Sequence, residues 1–253
     1  MYDEHTLCLA KKYDAEVFVK INTGMNRLGF STIGETASAV KNLRVLGVFT
    51  HLSSADGDDA TDRRITEAQI KNFMEAELVV KNEKDVPFYA ENSAALIKYG
   101  RFFDGARIGI ALYGVNPVPG DKTPLLPVMT FRAAVIAINT VKKGDFIGYS
   151  RGYRAKKDMR VAIISTGYAD GLPRALSNKG MIFCNGQFLK IVGKVSMDSV
   201  AVDAGDADVK IMDEVVVFGD EITVTDVANR ADTLPYEILT GVSERVKRVY
   251  KNP

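Results

Sequence analysis

The sequence predicts an α/β unit followed by a mostly-β unit. Three observations predict it. Up to about residue 111, short apolar runs alternate with stretches of helical period. Between Asn116 and Pro127, Gly120 and the prolines at 117, 119, 124 and 127 break that rhythm. Beyond that point apolar runs follow one another, separated by turn residues, with little helical pattern. The expected boundary divides the chain into residues 1–122 and 123–253.

Taken in order, residues 4–12 predict a short helix and Glu16 to Ile21 (EVFVKI) a strand. A helix over 35–42 leads to a strand over Arg44 to Thr50. Residues 61–82 place Ile70, Phe73, Met74 and Leu78 on one apolar face of a longer helix. A third strand is expected over 86–91, a short helix from Ser93, and a fourth strand over 105–111. Strands that alternate with helices imply a parallel sheet with helical crossovers. Four parallel strands cannot close an eight-stranded barrel. The first unit is therefore either a small open sheet or half of a barrel.

In the second unit strands are expected over Phe131–Val141, Arg160–Ser165, Phe188–Val192, Ser199–Val202 and Glu214–Phe218. Gly144, Gly180, Asn185-Gly186 and Gly219-Asp220 mark the turns. Helices near 225–231 and 236–245 complete the chain.

Composition excludes several function classes. The 33 basic residues nearly cancel the 32 acidic ones, so charge gives no reason to expect nucleic acid or a membrane surface as a partner. No apolar run reaches the roughly 18 residues a membrane span needs. The amino terminus has no apolar signal core, so a cytoplasmic location is expected. Cys8 and Cys184 form no CxxC pair and are expected to be free, buried thiols, with no metal site.

Chemistry-bearing residues gather after the early strands. The first strand runs into Thr23-Gly-Met-Asn-Arg27-Leu-Gly, the second ends at Thr50-His51, and the third leads to Asn92-Ser93. Arg107 and Gly109 lie on the expected fourth. In β/α folds the carboxyl ends of strands are where sites are built. Backbone N–H groups at the start of a helix and at a glycine can cradle a phosphate.

Eight runs carry a resemblance. They are Thr23–Gly29 (TGMNRLG), Thr50–Asp56 (THLSSAD), Glu91–Ala95 (ENSAA), Ala106–Gly114 (ARIGIALYG), Gly148-Tyr149-Ser150, Gly167–Gly171 (GYADG), Gly193–Asp198 (GKVSMD) and Pro235-Tyr-Glu. In order and spacing they resemble alanine racemase. The resemblance implies the last four strands of a (β/α)8 TIM barrel that binds pyridoxal 5′-phosphate, followed by the family's β-domain. It also implies a homodimer with shared sites and alanine as the substrate. The product, D-alanine, would supply cell-wall peptidoglycan.

Residue by residue, the resemblance implies that Ser93, Gly109, Ile110 and the Tyr236 hydroxyl hold the phosphate, with Asn92 supporting that loop. Arg107 would face the pyridine nitrogen. An arginine only donates, so that nitrogen would stay an unprotonated acceptor. Arg27 would meet the cofactor's phenolic oxygen and the substrate carboxylate. Lys20 matches a lysine that is carbamylated in many members. Tyr149 would be one catalytic base, supported by His51 and through it by Arg107. Met197 and Asp198 match a loop whose backbone binds the substrate carboxylate, and Tyr168 lines the entrance.

The lysine that would hold the cofactor and act as the second base lies in a motif like VKANAYGHG, which these 253 residues do not contain. Lys20, in VKINTG, is followed by MNRLG and matches the later strand instead. The chain is therefore expected to be a fragment, inactive by itself. Serine racemisation and a non-catalytic, dimerising remnant are the alternatives. Asn26, Ser150, Arg151 and Ser196 depart from the residues usual at their positions.

Overall fold

The computed structural model describes residues 1–251 and forms two compact units, Met1–Leu126 and Pro127–Pro253. In the first, helix α1 (Glu4–Lys12) precedes strand β1 (Glu16–Lys20). Then come α2 (Ile33–Lys41), β2 (Arg44–Phe49), α3 (Ala60–Lys81), β3 (Phe88–Tyr89) and α4 (Ser93–Tyr99). The helices start where the sequence supplies caps. Asp3 with Thr6 and Thr32 with Glu35 form reciprocal capping boxes, while Asp59 and Asn92 cap α3 and α4. The strands pair in parallel in the order β1-β2-β3.

One face of this sheet packs against the helices. Val19, Val48 and Phe88 are fully buried there with Phe73 of α3. Phe73 meets Phe88 at 5.1 Å and Phe103 at 4.8 Å between ring centroids. Phe73→Ala would leave a cavity costing about 3–5 kcal/mol. The buried stripe of α3 is Thr66, Gln69, Ile70, Phe73, Ala76 and Val80. Met74 and Leu78, expected on that face, are exposed instead. Each step of four residues rotates 40° off the stripe, so 74 and 78 drift away from Ile70.

The expected fourth strand is also corrected. Residues 105–111 hold only a bridge between Tyr89 and Gly105, then a 3-10 turn over Ile110–Tyr113. The segment still runs beside β3, with Asp104 N–H donating to Phe88 O and Arg107 N–H to Glu91 O (2.7 Å). A two-residue β3 offers too short a ladder to make it a regular strand.

The second unit is built on a closed antiparallel barrel. Its six strands are β4 (Phe131–Val141), β7 (Met159–Ile164), β8 (Met181–Cys184), β9 (Gln187–Ile191), β10 (Val200–Asp203) and β11 (Glu214–Phe218). The hairpin of β5 (Phe146–Ile147) and β6 (Tyr153–Arg154) stands beside them. Barrel order is β10-β7-β4-β11-β8-β9, closed by the β9–β10 pair, so no edge stays open. Alternate valines and isoleucines fill it, among them Val135, Ile164, Ile182, Val202 and Val215. Helices α5 (Val224–Ala231) and α6 (Pro235–Gly241) follow, the second ending earlier than expected. Cys184 is buried, but Cys8, expected to be buried, is exposed on α1. Among the described residues no helix is long and apolar enough to cross a membrane.

Candidate active site

The first unit gathers cations at the carboxyl ends of β1 and β2. Lys20, the last residue of β1, is buried. Burial and the charges of Arg27 and Arg107 hold its ammonium pKa below the ordinary lysine value. Arg27 rides on the exposed loop after β1. The buried environment of Arg107 and the nearby Arg27 also lower its pKa.

Arg107 is fixed by three contacts. Its Nη2 donates to Thr50 O at 2.7 Å and meets His51 Nδ1 at 2.9 Å, and its guanidinium lies 4.5 Å from the Phe49 ring centroid. An arginine cannot accept, so His51 Nδ1 must accept from it. The neutral imidazole then carries its proton on Nε2. Burial, then Arg107, Arg27 and Lys20, push the His51 pKa from 6.5 down to about 4. His51 is therefore a neutral donor near pH 7 and not a proton carrier. Arg107 Nε is buried with no hydrogen-bond partner. An unmet buried donor costs about 1–3 kcal/mol, so this atom suits an acceptor delivered by a ligand.

A second group adjoins this rim. Ser93, the buried first residue of α4, accepts at its hydroxyl from Gly109 N–H (3.1 Å) and Ala111 N–H (3.3 Å). Its own hydroxyl hydrogen is left to donate. A Cβ built on Gly109 would enter open space, so there is room in front of this backbone. Ile110, next in line, is buried. Asn92 does not face outward. Its Oδ1 caps Ala95 N–H at 2.9 Å and its Nδ2 donates to Leu52 O at 3.2 Å, so it holds the loop in place.

In the second unit three motifs converge on one pocket lined by Tyr149, Ser150, Tyr168, Arg174, Lys194 and Met197, among others. Backbone contacts make this convergence. Tyr168 N–H donates to Ser196 O and Ala169 N–H to Met197 O, both at 3.0 Å. Gly167 permits that approach, since a Cβ there would lie 2.3 Å from Met197 O. Asn178 ties the Tyr149 loop to the GKVSMD loop, donating to Gly152 O (3.0 Å) and accepting from Gly193 N–H (2.7 Å). Tyr149 is 70 % exposed and precedes two non-glycine residues in the left-handed region, Ser150 (φ 53°) and Arg151 (φ 54°). Asp198 points to Arg245 at 2.8 Å, and Arg245 also lies 3.6 Å from Asp170. The Asp198 carboxylate thus braces its loop. Tyr236 sits in the first turn of α6, half exposed.

Sequence reasoning therefore found both groupings but missed Gln69, Asn178, Arg174 and Lys194. Lys194 lies inside the Gly193–Asp198 run already singled out and Arg174 three residues beyond Gly171, so nearness to those motifs was the available signal.

Comparison with known proteins identifies the family. Residues 4–117 match the family described as alanine racemase, N-terminal domain, and residues 128–250 the one described as alanine racemase, C-terminal domain. The alanine racemase of Halothermothrix orenii is 36% identical, over 96% of this chain and 68% of its own length. That of Aquifex aeolicus is 34% identical, over 97% and 69%. The solved alanine racemase of Streptomyces coelicolor superposes with a TM-score of 0.90 at 30% identity, covering 99% of this chain and 70% of that one. The Bartonella henselae enzyme, solved with covalently bound pyridoxal phosphate, gives 0.86 at 30% identity, covering 98% and 70%.

Proposed function

Because this chain belongs to the alanine racemase family, we propose that it serves the interconversion of L- and D-alanine with pyridoxal 5′-phosphate as cofactor. The observation that carries the proposal is Arg107. It is locked by Thr50 and His51 while its buried Nε–H has no partner. A pyridine nitrogen is an acceptor that fits this donor, and an arginine there keeps that nitrogen unprotonated. The charges that act on His51 all come from cations, which suits a ligand bearing a phosphate and a carboxylate. The free Ser93 hydroxyl hydrogen and the open space in front of Gly109 suit the phosphate.

When bound, the cofactor supplies an electron sink for the pair left as the alanine α-proton departs. The chain's own residues do the rest. Arg27 binds the substrate carboxylate. Tyr149 takes or returns the α-proton on one face. In the homodimer proposed here, Tyr149 and the Met197–Asp198 loop of one copy complete the site of the other. Tyr168 lines the way in.

Lys20 is assigned to carbamylation. Its lowered pKa raises the fraction of neutral amine, which adds carbon dioxide and releases a proton to give an N-carboxylate. That anion turns repulsion from Arg27 and Arg107 into attraction. With Lys20 so used, the second base is left to a lysine in a motif like VKANAYGHG, which this sequence does not contain. We also propose that the first unit is half of an eight-stranded barrel. Phe18 and Tyr89 (5.9 Å between ring centroids) share a sheet face with Gly47 and Gly105, where a Cβ would strike the Tyr89 ring, and Phe18 stays 42 % exposed.

Two assays test the reading. Fluorescence titration of the chain with pyridoxal 5′-phosphate should show reversible binding, weakened at least tenfold by Arg107→Leu. Chiral chromatography should show no L-to-D conversion by these residues alone. It should show conversion once a lysine-bearing barrel half is co-expressed, and loss of it in Tyr149→Phe. Cofactor binding indifferent to Arg107, or turnover that survives Tyr149→Phe, overturns the reading.

A further inference from the structure

Behind the cationic rim lies one buried amide that the racemase chemistry does not use. Gln69 is 2% exposed on the inner stripe of α3, and all its polar capacity is engaged. Its Oε1 accepts from Ser53 N–H and Ser53 Oγ–H, both at 2.9 Å. Its Nε2 donates to His51 O at 3.1 Å and to Thr23 Oγ1 at 3.3 Å. A backbone N–H can only donate and a carbonyl can only accept, so Ser53 and His51 dictate which end of the amide faces which partner.

These bonds reach both members of the Arg107–His51 pair. One path runs through the His51 carbonyl to the residue whose ring accepts from Arg107. The other runs through Thr23 Oγ1, which lies 2.8 Å from Thr50 Oγ1. Thr50 in turn bonds Ile21 O through its hydroxyl and takes Arg107 Nη2 on its carbonyl. Thr23 also opens the loop that carries Arg27, and Gly24 of that loop sits over the Gln69 stem, where a Cβ would lie 3.3 Å from Cγ. Thr23, Thr50 and Gln69 at the centre of this network are buried and bonded to one another, which makes it rigid, and loss of the Gln69 amide leaves several groups unpaired at once.

We propose that Gln69 is a positioning residue of this site. It ties the loop bearing Arg27 and the strand end bearing His51 to a single helix, so that the two sides of the rim hold one spacing. The inference rests on the racemase reading for the meaning of that rim, while its geometry stands without it.

The test uses the full chain and its two histidines, assigned by His5→Gln. The His51 ring is titrated by NMR in the wild type and in Gln69→Met, which keeps the stem and removes the amide. The wild-type midpoint lies near pH 4. In Gln69→Met the His51–Arg107 contact loosens and the midpoint rises by at least one unit, a tenfold gain in proton affinity. Val80→Ala is the control for general loosening, because Val80 is equally buried on α3 but bonds nothing on the rim. It should leave the midpoint in place.

An unmoved midpoint in Gln69→Met, or an equal rise in Val80→Ala, overturns the proposal. If Gln69→Met does not fold, Thr23→Val carries the same test by cutting the second path alone, and an unmoved midpoint there overturns it too. A parallel titration with pyridoxal 5′-phosphate separates the two claims. A wild type that does not bind the cofactor, but whose His51 midpoint depends on Gln69, refutes the cofactor reading and supports the positioning role.

Discussion

Acidification should weaken the first unit through one side chain, His51. Its pKa lies near 4 in the folded chain against 6.5 for a free histidine, because burial and the surrounding cations disfavour a charged ring. The unfolded chain therefore binds the proton first as pH falls. Above about 6.5 the ring is neutral in both states and contributes no difference. Between 6.5 and 4 the unfolded state gains a proton that the folded state refuses, so stability falls, and below 4 the loss is complete. A difference of about 2.5 units corresponds to about 3 kcal/mol at 1.36 kcal/mol per unit, discounted to about 2 kcal/mol because the ring is only partly shielded from solvent.

His51→Asn isolates this contribution. Its side-chain oxygen can still accept from Arg107 Nη2, but it does not titrate. Urea unfolding, followed at amide signals of β1 and β2 by NMR, reports the first unit alone. Between pH 7 and pH 4 the wild type should lose about 2 kcal/mol more than the variant. Carboxylates titrate in both proteins and cancel in the comparison. Parallel curves for the two proteins would refute the claim that the cations around His51 exclude its charge.

Three further outcomes follow from the geometry. Gly167→Ala should cost about 2 kcal/mol in urea unfolding of the second unit, because its Cβ would stand 2.3 Å from Met197 O, and tyrosine fluorescence should shift as the Tyr168 loop parts from Met197. Ser150→Gly should leave stability unchanged or raise it by up to about 1 kcal/mol, whereas Ser150→Val should lower it by about 1–2 kcal/mol, since position 150 holds φ 53°; a loss in the glycine variant would contradict this. In 13C-bicarbonate the chain should show a carbamate carbon signal that disappears in Lys20→Met and fades on acidification, when carbamates decompose.

Much of the fold was legible because its signals are local. Glu4–Lys12 and Phe131–Val141 have the boundaries their caps and apolar runs suggested. Met181–Cys184 was missed because four residues between Gly180 and Asn185-Gly186 are too few to show a period, and the strand exists only through pairing with β9 and β11. Leu78 was misplaced because helical period fixes a stripe's angle only once its centre is known, and the centre is set by what α3 packs on. Cys8 was expected inside on residue type alone, yet it faces outward on α1.

The two parts of the candidate site were unequally legible, and the reason lies in how each is held. The Tyr149 pocket is assembled by backbone contacts, and close backbone approach demands glycine. A Cβ at Gly193 would lie 2.9 Å from Ile147 O, just as one at Gly167 would strike Met197. Such contacts leave glycines in the sequence beside the residues they position, so GYADG and GKVSMD announce themselves. The cationic rim is held by side chains from distant positions. Thr23, Thr50 and Gln69 are buried and bonded to one another, and alone each looks like an ordinary polar residue of a turn or helix. A glutamine on an amphipathic helix is placed on the solvent side by any hydropathy argument. Only the fold shows that this one faces inward, where an amide with both ends satisfied costs little to bury and an apolar side chain would leave the His51 carbonyl and the Ser53 amide short of a partner. Variation at position 69 should therefore be tolerated by the helix and felt at the rim.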